Sequence, residues 1–235
     1  MTTGSDDDEQ EFTLPSGQRR VIVLVVATVV VLVVGAAIGM LIALARGGGS
    51  NSPDAQSIDV GFAQDMRVHH MQAITMAGIE RDRTADPELH SLAFDIESTQ
   101  LSQAGTMAGW LNVWNQPELT DPGKGYMAWM AGSGHAHEGP TTAGGGVAQM
   151  PGMATSQELN KLRSLSGKES DVYFLQLMLR HHQGALPMAQ YAAAHANVGY
   201  VRNLASKMVS AQTNEASLMV KMLADRGATP LPAPN

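Results

Sequence analysis

The sequence contains no cysteine among its 235 residues. Disulfide bonds, thiolate metal sites, cysteine nucleophiles and an acylated cysteine anchor are therefore excluded. Aromatic residues are also scarce, at 5% of the chain, whereas methionine occurs 15 times. Any sulfur-containing metal ligand must be a methionine, although a single methionine more often fills an irregular gap in a core.

Clusters of positive charge are missing as well. The chain has 15 Lys and Arg residues against 22 Asp and Glu residues, for a formal net charge of -7. No segment combines clustered basic residues with interleaved aromatic ones, as a nucleic-acid surface would require. We therefore exclude nucleic acid as a partner.

The motifs of several enzyme classes are absent. No Glu has a His three residues later, which excludes the usual di-iron site of carboxylate bundles. The chain also lacks the His-Glu-x-x-His, Gly-x-Ser-x-Gly and P-loop motifs, so zinc proteolysis, serine hydrolysis and nucleotide use have no support. We predict a protein that catalyses no reaction.

One long stretch lacks charge altogether. Residues 21–45 are 25 consecutive uncharged residues, and a membrane-spanning helix needs about 20. Arg19 and Arg20 precede the stretch and only Arg46 follows it closely, so the positive-inside rule places the N-terminus in the cytoplasm and the main domain outside. The alternative is a signal peptide cleaved at residues 43–45, whose apolar region would be only about 7–15 residues long. We predict an uncleaved, single-pass anchor in the cell membrane.

Composition divides the chain into segments. Within the anchor, Gly35 and Gly39 form a GxxxG pair through which two anchors can self-associate. The linker that follows is rich in Gly and Ser and is flexible by composition. The predicted segments are an acidic cytoplasmic tail (1–20), the transmembrane helix (21–45), the linker (46–57), a helical domain (58–226) and a proline-rich tail (227–235).

Helix signals predict two hairpins in the helical domain. Asp86 followed by Pro87 marks a helix start, which makes residues 58–114 a first hairpin. Residues 115–154 are rich in Gly, Pro, Met and His without periodicity, and we define them as the central loop. In residues 155–226, the capping box of Thr155 and Glu158 opens a short helix that should end near Gly167. The second hairpin follows it, with a break at residues 197–199.

The two hairpins are related by an internal repeat at an offset of 112 residues. The stretch from Asp59 to Ala77 recurs without gaps in the stretch from Asp171 to Ala189, and the same offset pairs residues of the following helices. Neither hairpin can bury its apolar face alone, so the two should pack with approximate two-fold symmetry. The sequence thus predicts an all-α fold, a four-helix bundle of two duplicated hairpins preceded by one transmembrane helix.

Each repeat carries a stripe of Phe, Met and His on one helical face. In the first repeat, Met66, His69 and Met76 follow the spacing of one face, and His70 lies beside it. The bundle should therefore bring four imidazoles and at least four thioethers near a common interior. The candidate metal ligands are His69, His70, Met66, Met76, His181, His182, Met178 and Met188.

Copper is the metal that this pattern favours. Neutral imidazole with thioether suits Cu(I), and Met survives in an oxidising compartment where Cys would be oxidised or paired. The alternative is that each His pair is a polar layer satisfied by nearby Gln, Asp and backbone groups. Asp59 and Asp171 open the two stripes as oxygen ligands or, more commonly, as first-turn acids favoured by the helix dipole.

The central loop holds further soft ligands in two Met-x-x-Met pairs and one His-x-His. A flexible loop of this kind can capture a metal and pass it inward. The alternative is a disordered linker of biased composition. The candidate accessory ligands are Met127, Met130, His135, His137, Met150 and Met153.

These motifs resemble the bacterial family catalogued as domain of unknown function 305. The resemblance rests on the His-His-x-x-Ala-x-x-Met-Ala pattern of both repeats and covers about residues 58–226. It implies a ferritin-like four-helix bundle, usually exported or anchored, and some members are linked to copper binding and tolerance. The family's second-helix Gln-x-x-Glu is present as Gln212 and Glu215, but the first half has Gln100 and Gln103, which puts the polar layer of that half in question.

Three functional hypotheses follow. The leading one is a membrane-anchored extracytoplasmic protein that sequesters Cu(I) or exchanges it with a copper donor or acceptor protein. The second is a structural or assembly partner of a membrane complex, in which the stripe is only core. The third is a metal-dependent oxidase with an unusual His, Met and Asp site.

Overall fold

The computed structural model describes residues 16–47, 52–131 and 141–234. The chain divides into two units, Met1–Asn51 and Ser52–Asn235. The first unit contains helix α1 (Ser16–Gly47), which includes residues 21–45. In the part of the chain that is described, no helix is long and apolar enough to cross a membrane. The anchor and its GxxxG contact stay predictions.

The second unit is built from helices. No strand occurs in its described ranges, where strand-like pairing is limited to isolated bridges of Val147 with Tyr126 and with Thr141. The all-helical part of the predicted fold is therefore confirmed. The helices are α2 (Ile58–Arg81), α3 (Pro87–Val113), α4 (Ser156–Ser164), α5 (Gly167–His195) and α6 (Gly199–Asp225), with one 3-10 turn at Ala128–Met130.

Two helix starts follow the predicted capping signals. Asp86 accepts hydrogen bonds from the backbone N–H groups of Glu88 and Leu89 at the start of α3. Thr155 and Glu158 form the expected capping box at the start of α4. Helix α4 ends at Ser164, near Gly167 as predicted, and Gly167 itself opens α5 with φ of 59°. Its left-handed conformation lets the chain reverse between two helices, and glycine adopts it at little steric cost.

Four helices share two apolar clusters. Helix α2 packs against α3, α5 packs against α6, and α2 and α5 pack on each other. Cluster 1 joins Met66 of α2 and Met188 of α5 to Leu111 of α3 and Met208 of α6, whereas cluster 2 joins Met76 of α2 and Met178 of α5 to Ile96 of α3 and Met222 of α6. Helices α2 and α5 are therefore antiparallel. The two His pairs lie between the clusters, at the level where these helices meet.

The described part of the central loop packs onto α2 through one buried carboxylate. Asp65 accepts hydrogen bonds from Thr120 Oγ1 at 2.5 Å, the Met127 N–H at 2.6 Å and Trp129 Nε1 at 2.8 Å. Burial raises the pKa of Asp65 above its ordinary value, although the three hydrogen bonds lower it. The Trp129 ring lies directly on Gly61, where any Cβ would stand 2.4 Å from a ring carbon. The loop is therefore attached by side-chain contacts and not by secondary structure.

Candidate metal centre

Four histidine side chains meet between the two clusters. All four are buried, with at most 1% of any residue exposed. The rings of His69 on α2 and His181 on α5 have centroids 3.8 Å apart. The centroids of His181 and His182 are 6.5 Å apart. Because His69 and His181 are equivalent in the repeat, the contact between them lies where the two halves meet.

The second, outer histidine of each pair, His70 or His182, forms a hydrogen bond with the second helix of its own hairpin. His70 Nε2 lies 2.7 Å from Gln103 Oε1 on α3. His182 Nε2 lies 2.6 Å from Glu215 Oε2 on α6. Gln103 and Glu215 are themselves related by the offset of 112 residues. The first half therefore keeps its polar layer, with an amide in place of the carboxylate.

These hydrogen bonds determine which ring nitrogen carries the proton. The Pro151 carbonyl, 3.2 Å from His69 Nε2, can only accept a hydrogen bond. The Gln103 carbonyl oxygen and the Glu215 carboxylate are acceptors as well. His69, His70 and His182 therefore donate from Nε2–H and keep a lone pair on Nδ1.

Each ring also has one nitrogen without a partner. These atoms are Nδ1 of His69, His70 and His182, and Nε2 of His181, and all four are buried. A buried polar atom left unpaired costs about 1–3 kcal/mol. In protein metal sites, by contrast, a His commonly donates one N–H to a carbonyl or carboxylate and offers its other nitrogen to the metal. The donor pattern thus has the chemistry of a metal site and not of a fully satisfied polar layer.

Three of the four rings, those of His69, His70 and His181, are neutral at physiological pH. Burial lowers the pKa of His69 to about 3, and the neighbouring His70 lowers it further. Burial also lowers the pKa of His70 to about 4, against the opposing effect of the hydrogen bond that His70 donates to Gln103. The pKa of His181 lies well below its ordinary value for the same reason, reinforced by His69. Neutral imidazole is the form that binds metal ions.

The four stripe methionines flank the His layer in two separate pairs. Met66, Met76, Met178 and Met188 are fully buried. Because α2 and α5 are antiparallel, Met66 lies on the same side as Met188, and Met76 on the same side as Met178. Met66 and Met178 stand three residues before a His, so each shares a helical face with it. The thioethers are divided between the two sides of the layer.

The described residues do not form a preformed metal site with three or more His, Cys, Asp or Glu ligands. Asp59 does not point to the layer, because its carboxylate accepts from the N–H groups of Val198 at 2.8 Å and Asn197 at 3.1 Å. An ion held by the layer would draw on imidazole nitrogen with thioether sulfur, a combination that suits Cu(I).

The accessory methionines are packed inside. Met127, Met130 and Met150 are buried in cluster 1, and Met153 packs against it half-buried. They enlarge the thioether-rich side of the His layer and are not displayed for capture at the surface. His135 and His137 lie outside the described residues.

A strap, residues 150–154, crosses the His layer between equivalent positions of the two repeats. Gln72 binds it on one side, since Gln72 Nε2 donates to the Ala154 carbonyl at 2.9 Å and Gln72 Oε1 accepts from the Ala154 N–H at 2.6 Å. Gly184, the counterpart of Gln72, makes room for it on the other side. A Cβ at Gly184 would lie 2.1 Å from the Pro151 oxygen. The strap thereby holds the carbonyl that orients His69.

The sequence did not indicate the residues whose contacts join segments that are far apart along the chain. Pro151, Gln72 and Gly184 have no periodic signal, because their partners lie far away in sequence. Gln103 and Glu215 are already indicated by the family resemblance, and the structure adds that they accept hydrogen bonds from His70 and His182. Asp65 could have been noticed as a lone carboxylate on an otherwise apolar helical face.

Comparison with known proteins agrees with this architecture. A sequence model of the family described as Domain of unknown function (DUF305) matches residues 59–223. A comparison with curated proteins gives no match. The structure resembles a DUF305 protein from Streptomyces coelicolor, described as a candidate secreted protein, with 43% identity and a TM-score of 0.66 over 76% of this chain and 99% of that chain.

More distant structures share the fold. A DUF305 fragment from Deinococcus radiodurans is 29% identical, with a TM-score of 0.56 over 72% of this chain and 96% of that chain. CopM in its Cu(I)-bound form is 22% identical, with a TM-score of 0.52 over 71% of this chain and 96% of that chain. CopM has also been solved in a Cu(II)-bound form. At this identity, the likeness to CopM concerns the fold alone.

Proposed function

The chain belongs to the family defined by domain of unknown function 305, and on that premise we propose that its helical unit binds copper as cargo, in the Cu(I) state. The observation that supports this most is the buried layer of four imidazoles, each with one nitrogen that has no partner. The ligands would be His69, His70, His181 and His182, assisted by the flanking methionines. The protein would sequester the ion or exchange it with a donor or acceptor protein.

Two further observations support copper over harder metals. Thioether sulfur is abundant on both sides of the layer, and soft ligands select Cu(I). CopM, which has this fold, has been solved in both copper states. Carboxylates, which Mg²⁺ and Ca²⁺ prefer, are represented at the layer by Glu215 alone among the described hydrogen bonds.

A titration of the full chain in detergent tests the proposal. Cu(I) is added against a competing chelator to the wild-type protein and to the double variant His69→Leu/His181→Leu, which fills the centre of the layer with apolar side chains. We expect the variant to lose at least about 100-fold in affinity, as removal of metal ligands should. His90→Ala, at an exposed position of α3, is the matched control and should bind as wild type.

The outcomes separate the candidate sites. Unchanged affinity in the folded double variant would contradict the His layer as the site. Loss of binding on Met150→Leu/Met153→Leu, with the layer intact, would assign the strap as the principal site. Absence of copper binding by folded wild-type protein would contradict the proposal and favour an assembly partner.

The ferritin-like topology and the membrane anchor belong to the same proposal. The anchor is supported by the 25 uncharged residues at 21–45, and an extracytoplasmic location is supported by the likeness to a candidate secreted protein. We expect the full chain to stay in the membrane pellet after an alkaline carbonate wash. Release into the supernatant would contradict the anchor.

A further inference from the structure

The two halves of the His layer differ in one formal charge. His70 and His182 occupy equivalent positions and make equivalent hydrogen bonds, to Gln103 Oε1 at 2.7 Å and to Glu215 Oε2 at 2.6 Å. Glutamine and glutamate have nearly the same shape. The substitution therefore preserves the geometry of the layer and removes one negative charge from the first half.

From this difference we propose that Glu215 and Gln103 are specificity-determining residues, which set the layer to hold one monovalent cation in preference to a divalent one. The proposal rests on the proposed function, because it concerns the charge of the ion that the layer binds. Neither residue needs to touch the ion. Both act through the histidine that they orient.

Glu215 is the charged partner of the layer. Among the described hydrogen bonds to the four rings, it supplies the single formal charge, since the other partners are the Pro151 carbonyl, the Gln103 amide and the backbone of His69. Arg180, which directly precedes His181 on α5, has its charge neutralised by two hydrogen bonds of 2.9 Å to Glu158. The layer therefore carries a net charge of about -1 when its imidazoles are neutral.

The buried surroundings strengthen the effect of the Glu215 charge on a bound ion. The His182 side chain is fully buried and that of Glu215 is 20% exposed, so water screens the pair poorly. A monovalent ion bound by neutral imidazoles would be balanced by the Glu215 carboxylate. A divalent ion would leave one buried positive charge uncompensated, and such a charge is strongly unfavourable.

The difference between Glu215 and Gln103 also makes the two outer histidines unequal as metal ligands. A carboxylate that accepts from Nε2–H raises the basicity of the imidazole and makes its other nitrogen a stronger ligand. His182 Nδ1 is therefore a better donor than His70 Nδ1. Binding should start in the second half of the layer.

Charge-swap variants test the inference. In Gln103→Glu both outer histidines have a carboxylate, and in Glu215→Gln neither has one. Affinities for Cu(I) and for Zn(II), a divalent ion without redox chemistry, are measured for the full chain by competition with chelators. We expect Gln103→Glu to shift the affinity ratio toward Zn(II) by about tenfold or more, and Glu215→Gln to weaken Zn(II) binding more than Cu(I) binding.

The matched control is Ser102→Glu, which adds the same charge to an exposed position of α3 next to Gln103. Its Zn(II) to Cu(I) ratio should equal that of the wild type. An unchanged ratio in Gln103→Glu, with Cu(I) still bound and the fold retained, would overturn this inference and leave the proposed function standing. Failure of wild-type protein to bind Cu(I) would instead overturn the proposed function itself. If Glu215→Gln does not fold, the ratio in Gln103→Glu decides alone.

Discussion

Buried histidines are normally found with both ring nitrogens satisfied, and those of this layer are not. One hydrogen bond specifies the tautomer of His69, of His70 and of His182. Desolvation lowers the pKa of His69, His70 and His181. At the residue scale, the account therefore depends on ionisation states that can be measured without any metal.

The first prediction concerns acid stability of the metal-free protein. In the folded chain the pKa values of His69 and His70 are about 3 and about 4, against an ordinary value of 6.5 in the unfolded chain. Between these limits the unfolded chain binds more protons, so stability is lost as pH falls below about 6.5. Each such group contributes about 1.4 kcal/mol per pH unit within this window.

Urea unfolding at pH 7.5, 6.5 and 5.5 measures this dependence. The double variant His69→Leu/His181→Leu should show a smaller loss of stability over the same range, whereas the exposed His90→Ala should match wild type. Because Glu80 acts in the opposite direction over this range, the comparison of wild type with the double variant decides. The same change in stability between pH 7.5 and 5.5 in both proteins would show that the layer is not held in its neutral form.

The second prediction concerns a buried acid at the far end of α2. Glu80 accepts from Ser170 Oγ at 2.9 Å, while Glu80 Oε1 and Asp171 Oδ1 are buried without a hydrogen-bond donor. Burial, with Asp171 adding to it and Arg226 opposing it, raises the pKa of Glu80 from 4.5 to about 8. The folded chain therefore holds a proton that the unfolded chain releases, and stability is lost as pH rises from about 4.5 through about 8.

Glu80→Gln should remove this alkaline loss, because the amide donates permanently where the acid needs a proton. Unfolding free energies at pH 6 and pH 9 should then differ less than in wild type. Glu88→Gln, at an exposed position of α3, is the control. An equal alkaline loss in wild type and Glu80→Gln would refute the protonated Glu80.

At the element scale, the helices follow local signals and the loop does not. Asp86 and Thr155 identify helix starts because capping acts within one turn. Gly167 correctly predicts the end of α4 nearby, and it is also the first residue of α5. The path of the central loop depends on Asp65, whose partners are more than 50 residues away, and no periodicity records such contacts.

The third prediction concerns this loop attachment. Asp65→Asn leaves one acceptor oxygen for three donors, so we expect a loss of about 2 kcal/mol or more in stability. Trypsin cleavage at Lys124 should become faster under native conditions. Asp121→Asn, which affects one exposed hydrogen bond to the Gly123 N–H, is the control. Equal cleavage rates in Asp65→Asn and wild type would contradict the attachment.

The fourth prediction concerns the strap. A Cβ at Gly184 would meet the Pro151 oxygen at 2.1 Å, whereas a Cβ at Gly109 of α3 meets nothing within 4 Å. Gly184→Ala should therefore destabilise the protein by about 1–3 kcal/mol through overpacking. The same substitution at Gly109 should stabilise it by about 0.5–1 kcal/mol, as in an open helix interior. Denaturant unfolding compares the two, and equal effects would mean that the strap does not rest on Gly184.

At the scale of the whole molecule, the repeat predicts that the four histidines meet, and the structure places them in one layer. The sequence predicts that four thioethers lie near a common interior. In the structure they form two separate pairs, because antiparallel α2 and α5 place Met66 with Met188 and Met76 with Met178. The repeat does not show that the two sides of the His layer differ. The central loop adds four methionines to cluster 1, and the strap crosses one face of the layer.

X-ray absorption at the copper edge of the Cu(I)-loaded full chain tests the central claim most directly. We expect nitrogen and sulfur neighbours in the wild type, with the nitrogen contribution strongly reduced in His69→Leu/His181→Leu. A copper environment of sulfur alone, unchanged by that double substitution, would contradict the buried His layer as the copper site.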